Sequence, residues 1–339
     1  MEKKNYNASI DIVKYFCAIM IVDSHVRLIN IENSFLFELF RFALYFFHCA
    51  FGYYFYKSII RNEKNIISKN VKRLLPPLFF WIVIYTLLNY YNDVLSGSVS
   101  MNDFIRLNLI SLFINGTGFH LWFMASLIIY VVIAAILYRH EKLKILYPIS
   151  IVLYIIGLLG SYYAFIGNHI PLIKDLISME YYTTFCRLFM HGLPMFTMGL
   201  YISENDEKLL KTDNKKLVLI IMVLFGLVCV EILYAINNGN FLVNICTIFL
   251  CLFTFPFFIL CLKNPMSEHS YIGKAAKYIS TFMYYSHPLF RTLVLSIMMR
   301  VFGIDLYPLY ATIIVVLLCT IFGYILYKLN NKFINMFVS

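Results

Sequence analysis

The sequence predicts an all-α fold, a polytopic bundle of about ten transmembrane helices with both termini in the cytoplasm. Three observations lead there. The 339-residue chain is 61% hydrophobic and only 14% charged, with a mean hydropathy of +0.76, whereas a soluble domain keeps about a quarter of its residues charged. Its apolar residues gather into runs near the roughly 20 residues that cross a bilayer as a helix. Its basic residues are unevenly shared between the segments joining those runs.

The runs are 9–29, 36–58, 76–91, 119–138, 145–166, 184–202, 216–236, 243–262, 279–301 and 308–329. The third is short, and Pro76 and Pro77 stand at its start, where proline is tolerated. The longest polar stretches, 92–118 and 167–183, read as loops. No internal repeat or low-complexity tract is evident, so 1–339 reads as a single membrane-embedded domain with no soluble domain appended. Lys3 and Lys4 precede the first run, but no small-residue cleavage site follows it, so it is expected to remain as a span.

With the N-terminus inside, twenty lysines and arginines fall on the cytoplasmic side, among them Lys3, Lys4, Lys57, Lys64, Lys69, Lys72, Arg73, Arg139, Lys211 and Lys328. Only four, Arg27, Arg106, Lys174 and Arg300, fall outside. Segments rich in Lys and Arg stay in the cytoplasm, and an odd number of spans would push a basic segment outside. The net charge of +10 is therefore explained by membrane lipids as partner, not by nucleic acid. The eight cysteines all lie inside apolar runs and form no CxxC. They read as buried thiols, with neither a disulfide framework nor a metal site expected.

Ionisable groups in a bilayer cost roughly 2.5–3.5 kcal/mol each on insertion scales and so usually face a partner or cavity. The first run carries Asp11, Lys14, Asp23 and His25. Lys14 and His25 share a helical face about 16 Å apart along the axis; Asp11 is placed to pair with Lys14, while Asp23 points away from His25. Glu38, Arg41 and His48 form one stripe of the second run, Arg187 and His191 repeat at i and i+4 in the sixth, His287 and Arg291 at i and i+4 in the ninth, and Glu231 sits alone in the seventh. These groups read either as interhelical ion pairs or as the lining of a polar interior.

The segment Lys69-Asn-Val-Lys72-Arg73-Leu-Leu-Pro76 is a basic cluster at the membrane border. It reads as a topology anchor or as a site for a cytosolic phosphorylated donor such as a nucleotide or coenzyme A, since Lys and Arg both bind phosphoryl groups. Gly118-Phe-His120-Leu-Trp122-Phe123 opens the fourth run. Trp122 reads as an interfacial belt residue or, with His120, as part of an acceptor site.

Taken in order, these pieces resemble the acyltransferase-3 family of integral membrane acyltransferases over nearly the whole chain. The resemblance is carried by Asp11 and Lys14 with Asp23-Ser-His25, by Phe46-Phe47-His48-Cys49-Ala50-Phe51-Gly52-Tyr53, by Lys69 to Pro76 with lysines where an Arg-x-x-Arg pair is typical, by His120-Leu-Trp122-Phe123, and by Tyr284-Tyr-Ser-His287-Pro288. It implies a ten-span bundle that moves an acyl group, commonly acetyl, from cytoplasmic acyl-coenzyme A (acyl-CoA) to a hydroxyl of an extracytoplasmic glycan or lipid-linked sugar. It further implies donor binding by Lys14, Lys69, Lys72 and Arg73, and catalysis by His25, with Asp23 beside it in sequence. A histidine can take the proton of a sugar hydroxyl as it attacks a thioester, typically worth 10²–10⁴-fold. The oxyanion needs donors or cations, for which Arg187, His120 and Arg291 are candidates. His120, Trp122, Arg187, His287 and Arg291 are the candidate acceptor-binding residues. The rival reading is a transporter or flippase for an amino acid, acyl group or glycan, favoured by Glu231 and the Glu38–Arg41 pair and disfavoured by the lack of an inverted repeat. The isoleucine, lysine and asparagine usage suggests a bacterial source, hence a multi-pass protein of the bacterial plasma membrane.

Overall fold

Helices account for the architecture of the computed structural model, which describes residues 7–27, 35–61, 65–114, 118, 120–179, 181–237, 246–266, 271–336 and 338; there is no strand among them. Lys3, Lys4, Lys64, Phe119 and the predicted span residues 28–29 and 243–245 lie outside the described residues. The chain divides into two units: Met1–Arg61 with Lys144–Leu329, and Asn62–Leu143 with Asn330–Ser339.

The first unit begins with α1, Ala8–Arg27. The side-chain oxygen of Asn7 accepts the backbone N–H of Ser9 at 3.0 Å and caps the helix start, while its amide donates to the carbonyl of Cys261 at 3.1 Å. The chain continues through α2, Phe35–Phe40, and α3, Phe42–Ile60. A tight turn at Arg41 separates these two, so that 35–60 is one long apolar segment of 26 residues.

The second unit holds α4, Ile66–Asn89, α5, Met101–Ile114, and α6, Trp122–Arg139. Two expectations are corrected here. Pro76 and Pro77 lie inside α4 rather than at its start, because the helix begins ten residues earlier and takes in the basic cluster. Proline there removes the N–H groups that would reach the carbonyls of Lys72 and Arg73. The stretch 92–118, read as a loop, contains α5; polarity alone does not prevent a helix where an N-terminal cap is present, and Ser100 Oγ accepts the N–H of Asp103 at 3.2 Å.

Back in the first unit, α7 spans Leu146–Leu159. The stretch 167–183, also read as a loop, includes the short helix Pro171–Ile177. Residues Cys186–Gly192 form a π-helical segment that runs into α8, Leu193–Glu204. Pro194 in the first turn of α8 cannot donate to the carbonyl of Met190, which accepts instead from Cys246 Sγ at 3.6 Å. Then follow α9, Asn214–Asn237, α10, Ile248–Lys263, α11, Tyr271–Phe302, and α12, Pro308–Leu329.

Within this unit α1, α11 and α12 pack together around Ala18, Val22, Val26, Ile279, Met283, Val315 and Cys319. Helices α3 and α8 pack along their length. Their approach depends on glycine: a Cβ on Gly199 would stand 2.0 Å from the carbonyl oxygen of Cys49, and one on Gly52 would stand 2.0 Å from that of Phe196. Small residues that let backbones touch are the usual device of helix packing in lipid, where apolar side chains gain little by leaving the solvent. Exposed rows such as Leu219, Met222 and Val223 on α9 and Ile313, Leu317 and Ile321 on α12 suit a hydrocarbon solvent.

Five helical segments among the described residues are long and apolar enough to cross a bilayer: 35–60, 66–94, 122–139, 214–237 and 308–329. The shorter apolar segments 143–159 and 248–263 come next. In α1 the residues Asp11, Lys14, Asp23 and Arg27, and in α11 the residues His287 and Arg291, reduce the hydropathy of otherwise spanning lengths. These two polar-bearing helices are packed against each other.

Candidate active site

His25, near the end of α1, lies with its ring stacked on that of His287 from α11, the centroids 5.1 Å apart and the planes 20° from parallel. His287 is fully buried. Its orientation follows from the residue after it. Pro288 has no N–H to give to the carbonyl of Tyr284 four residues back. The Nδ1–H of His287 takes that place, donating to Tyr284 at 2.9 Å and to the carbonyl of Met283 at 3.0 Å. A carbonyl can only accept, so Nδ1 carries the proton and Nε2 is the acceptor nitrogen of the neutral ring. The dipeptide His287-Pro288 thus sets its own tautomer.

Arg291 follows His287 by one turn of α11 and presents to the same side. Arg187 comes from the π-helical segment, a helix irregularity frequent at functional sites. Together with His287, these two arginines contribute to the electrostatic surroundings of His25, and Asp23 is buried on the same helix. The structure therefore stacks His25 on His287 and puts Arg187 and Arg291 among the charges that act on His25.

Lys14 lies on the same face of α1, toward its other end. Its ammonium pairs with Asp11 at 3.2 Å and stands 5.1 Å from the ring centre of Tyr54 on α3. The expected Asp11–Lys14 pair is formed.

The other intramembrane groups have structural partners. Arg41 Nε pairs with Glu38 at 2.8 Å, and Tyr162 donates a hydrogen bond to the same carboxylate. Glu231 accepts the backbone N–H groups of Ile248 at 2.8 Å and Phe249 at 3.0 Å, and the hydroxyl of Tyr163 at 2.7 Å. It is a cap supplied from α9 to the first turn of α10, a stabilising place for an anion. Nothing in the sequence flags that role, because the capped helix starts beyond a connecting segment.

A second histidine pair was not expected. His191 is fully buried, edge-on to Tyr45 at 4.4 Å and to His48 at 5.6 Å between centroids. Neither of its ring nitrogens has a hydrogen-bond partner among the described residues. His48 donates from Nδ1 to the carbonyl of Leu44 at 2.8 Å. Tyr45 ties three helices, sharing a hydrogen bond with Tyr154 at 3.1 Å and accepting the N–H of Thr247 at 2.9 Å.

In the second unit Lys69, Lys72 and Arg73 are exposed at i, i+3 and i+4 of α4, one helical face carrying three cations. Arg73 donates to the side chain of Asn70 at 3.4 Å, and buried Asn70 donates to the carbonyl of Ile66 at 2.9 Å. His120 is buried edge-on to Tyr85, with centroids 4.9 Å apart. Trp122 begins α6 and is buried. All eight cysteines are free thiols, and no group of three metal-ligating side chains occurs among the described residues.

Comparison with known proteins decides the family. The family model for the acyltransferase domain of acyltransferase-3 proteins matches residues 7–328. The chain belongs to the acyltransferase-3 family. The match covers every histidine and arginine gathered above, and it agrees with the resemblance carried by the motifs of α1, α3, α4, α6 and α11. Two curated relatives from Enterococcus faecalis are both named amino-acid racemase. One is 28% identical over 208 residues, 59% of this chain and 30% of the relative. The other is 24% identical over 233 residues, 67% of this chain and 32% of the relative. The chain thus spans about a third of the length of the curated relatives it matches. No solved structure matches it. An acyltransferase-3 protein needs an acyl donor and an acceptor.

Proposed function

We propose that this acyltransferase-3 protein moves an acyl group, acetyl in the simplest case, from cytoplasmic acyl-CoA to a hydroxyl of an extracytoplasmic glycan or lipid-linked sugar. The observation that carries the proposal is the stack of His25 on His287, held between two packed helices, with Arg187 and Arg291 among the charges that act on His25. His25 removes the hydroxyl proton as the oxygen attacks the thioester carbonyl. A C–O bond forms, and the negative charge that builds on the carbonyl oxygen falls in the field of Arg187 or Arg291. The C–S bond then breaks, and the protonated imidazole returns its proton to the departing thiolate. Two imidazolium rings in contact would repel, so the pair carries at most one positive charge at a time; His287, pinned by its Nδ1–H bonds, positions the ring that works.

Donor recognition is assigned to Lys69, Lys72 and Arg73, whose shared exposed face suits the phosphates of CoA, and to Lys14 along the face of α1 that leads to His25. The roles of Glu231 as a helix cap and of Glu38 in a closed pair with Arg41 take away the features that favoured a transporter. The alternative is membrane passage of an amino acid, acyl group or glycan, in which acetyl-CoA would not bind; two relatives named amino-acid racemase make an amino acid the first cargo to test.

The test is purified protein in detergent with radiolabelled acetyl-CoA, following binding and slow thioester hydrolysis in wild type and His25→Ala. Saturable binding by both, with hydrolysis reduced at least about 100-fold in the variant, is the expected result. Hydrolysis near the wild-type rate in folded His25→Ala would remove the catalytic assignment. No binding by either would turn the reading to passage of an amino acid.

A further inference from the structure

The turn between α11 and α12 carries a cavity that no step of acyl transfer uses. Gly303 adopts a φ of 63°, in the left-handed region that favours glycine. Its N–H bonds to the carbonyl of Met299 at 3.1 Å, and that of Ile304 to the carbonyl of Met298 at 3.0 Å. The chain is thereby folded back over the last turns of α11, and a cavity of about 310 Å³ lies between them. Leu295, Met299, Ile304 and Leu306 are its apolar walls, while Ser296, Arg300 and Asp305 bring it a hydroxyl, a cation and an anion. None of these three polar side chains makes a hydrogen bond or ion pair with a described residue. Thr292, one turn before Ser296, does the usual thing and donates to the carbonyl of Pro288 at 2.9 Å. Arg300 and Asp305 thus line one cavity without closing on each other. Asp305 and Leu306 stand just before Pro308, the first residue of α12, a helix long and apolar enough to cross a bilayer. The cavity therefore sits at the membrane border. A topology anchor does not explain Arg300, which the charge reading places on the outer side, where basic residues are scarce.

We infer that this cavity binds the headgroup of a zwitterionic phospholipid with a primary ammonium, as in phosphatidylethanolamine. The guanidinium of Arg300 takes phosphate oxygens in pairs. The carboxylate of Asp305 accepts charge-assisted hydrogen bonds from the ammonium, which a quaternary ammonium cannot give. The hydroxyl of Ser296 donates to a remaining phosphate oxygen. The four apolar side chains cover the glycerol and the first methylenes, and the acyl chains leave along the exposed Leu293, Ile297 and Val301 of α11. An anionic lipid would satisfy Arg300 and set a second negative charge beside Asp305. A free amino acid would match both charges and leave the apolar walls facing water. The site is independent of the acyl-transfer reading; it ties the outer end of α11, the helix that carries His287, to the membrane border.

The experiment adds phosphatidylethanolamine, phosphatidylcholine or phosphatidylglycerol, at equal mole fraction, to the purified protein in detergent, with glycine at high concentration as a fourth probe. The thermal midpoint is read from the exposure of the free thiols to a maleimide. Phosphatidylethanolamine should raise the midpoint several degrees above the other two lipids, and glycine should leave it unchanged. The excess should vanish in Asp305→Asn and shrink in Arg300→Gln. Both side chains are exposed, so the variants should match wild type in phosphatidylcholine, and the wild-type comparison stands by itself if they do not. An equal rise with all three lipids, or none, would reduce the cavity to ordinary lipid contact. Phosphatidylglycerol as effective as phosphatidylethanolamine would leave Asp305 without a role, and an excess that persists in both variants would place the lipid elsewhere. A rise with glycine would make the ligand a soluble amino acid. Each of these results would overturn the inference.

Discussion

The tautomer of His287 follows from Pro288. Without that proline, the carbonyl of Tyr284 would receive an ordinary helical N–H, and the ring Nδ1–H would share its acceptors. Replacing Pro288 with alanine therefore loosens the ring without touching any group that meets substrate. Expected is a fall in kcat of about tenfold, roughly 1.4 kcal/mol, with KM for acetyl-CoA unchanged and the fold retained. A variant with wild-type kcat would show that the Nδ1 bonds do not matter to the chemistry. The other side chains divide by the same question of who satisfies them. Glu231 and Glu38 have complete sets of partners and hold helices together. Arg187, Arg291 and His191 keep polar atoms for which the described protein supplies none, and residues of that kind are where a substrate is expected.

At the scale of the element, two helix pairs set the geometry. The α3–α8 contact brings backbone against backbone at Gly52 and Gly199. Gly199→Ala would place a methyl group 2.0 Å from the Cys49 carbonyl oxygen, a contact no side-chain rotation relieves, so the helices must part. A loss of about 1–3 kcal/mol is expected, read as a lower thermal midpoint in detergent; an unchanged midpoint would mean that the two helices do not approach this closely. Helix α4 poses a different question. Lys69 and Lys72 lie on one exposed face, serving as donor site or as topology anchor. Lys69→Ala with Lys72→Ala should raise KM for acetyl-CoA several-fold at constant kcat. Reduced membrane insertion with unaltered KM would instead leave these lysines as an anchor.

For the molecule as a whole, the excess of lysine and arginine predicts which segments face the cytoplasm. Lys211→Cys, before α9, should be labelled by a membrane-impermeant maleimide only after cells are opened, and Asp305→Cys, between α11 and α12, in intact cells. The opposite pattern would invert the orientation and put the donor face of α4 on the wrong side for cytosolic CoA.

Hydrophobicity, helical period and charge are local properties, and what depends on them was legible in the sequence. It determined an all-helical membrane chain, the Asp11–Lys14 pair, the common face of Lys14 and His25, and the pairing of His287 with Arg291 at one turn's spacing. The ordered motifs determined the family. Features that depend on distant chain segments were decided only by the tertiary structure. It set His25 on His287, put Arg187 of a π-helical segment among the charges that act on His25, gave Glu231 to the start of a helix that follows it, and left His191 buried with no hydrogen-bond partner for either ring nitrogen among the described residues. It also carried α4 back through Pro76 and Pro77 and made a helix of 101–114. Local pattern fixes which groups must leave lipid; only packing chooses the partner each one meets, because burying a polar group is tolerable in many arrangements and satisfying it is possible in few.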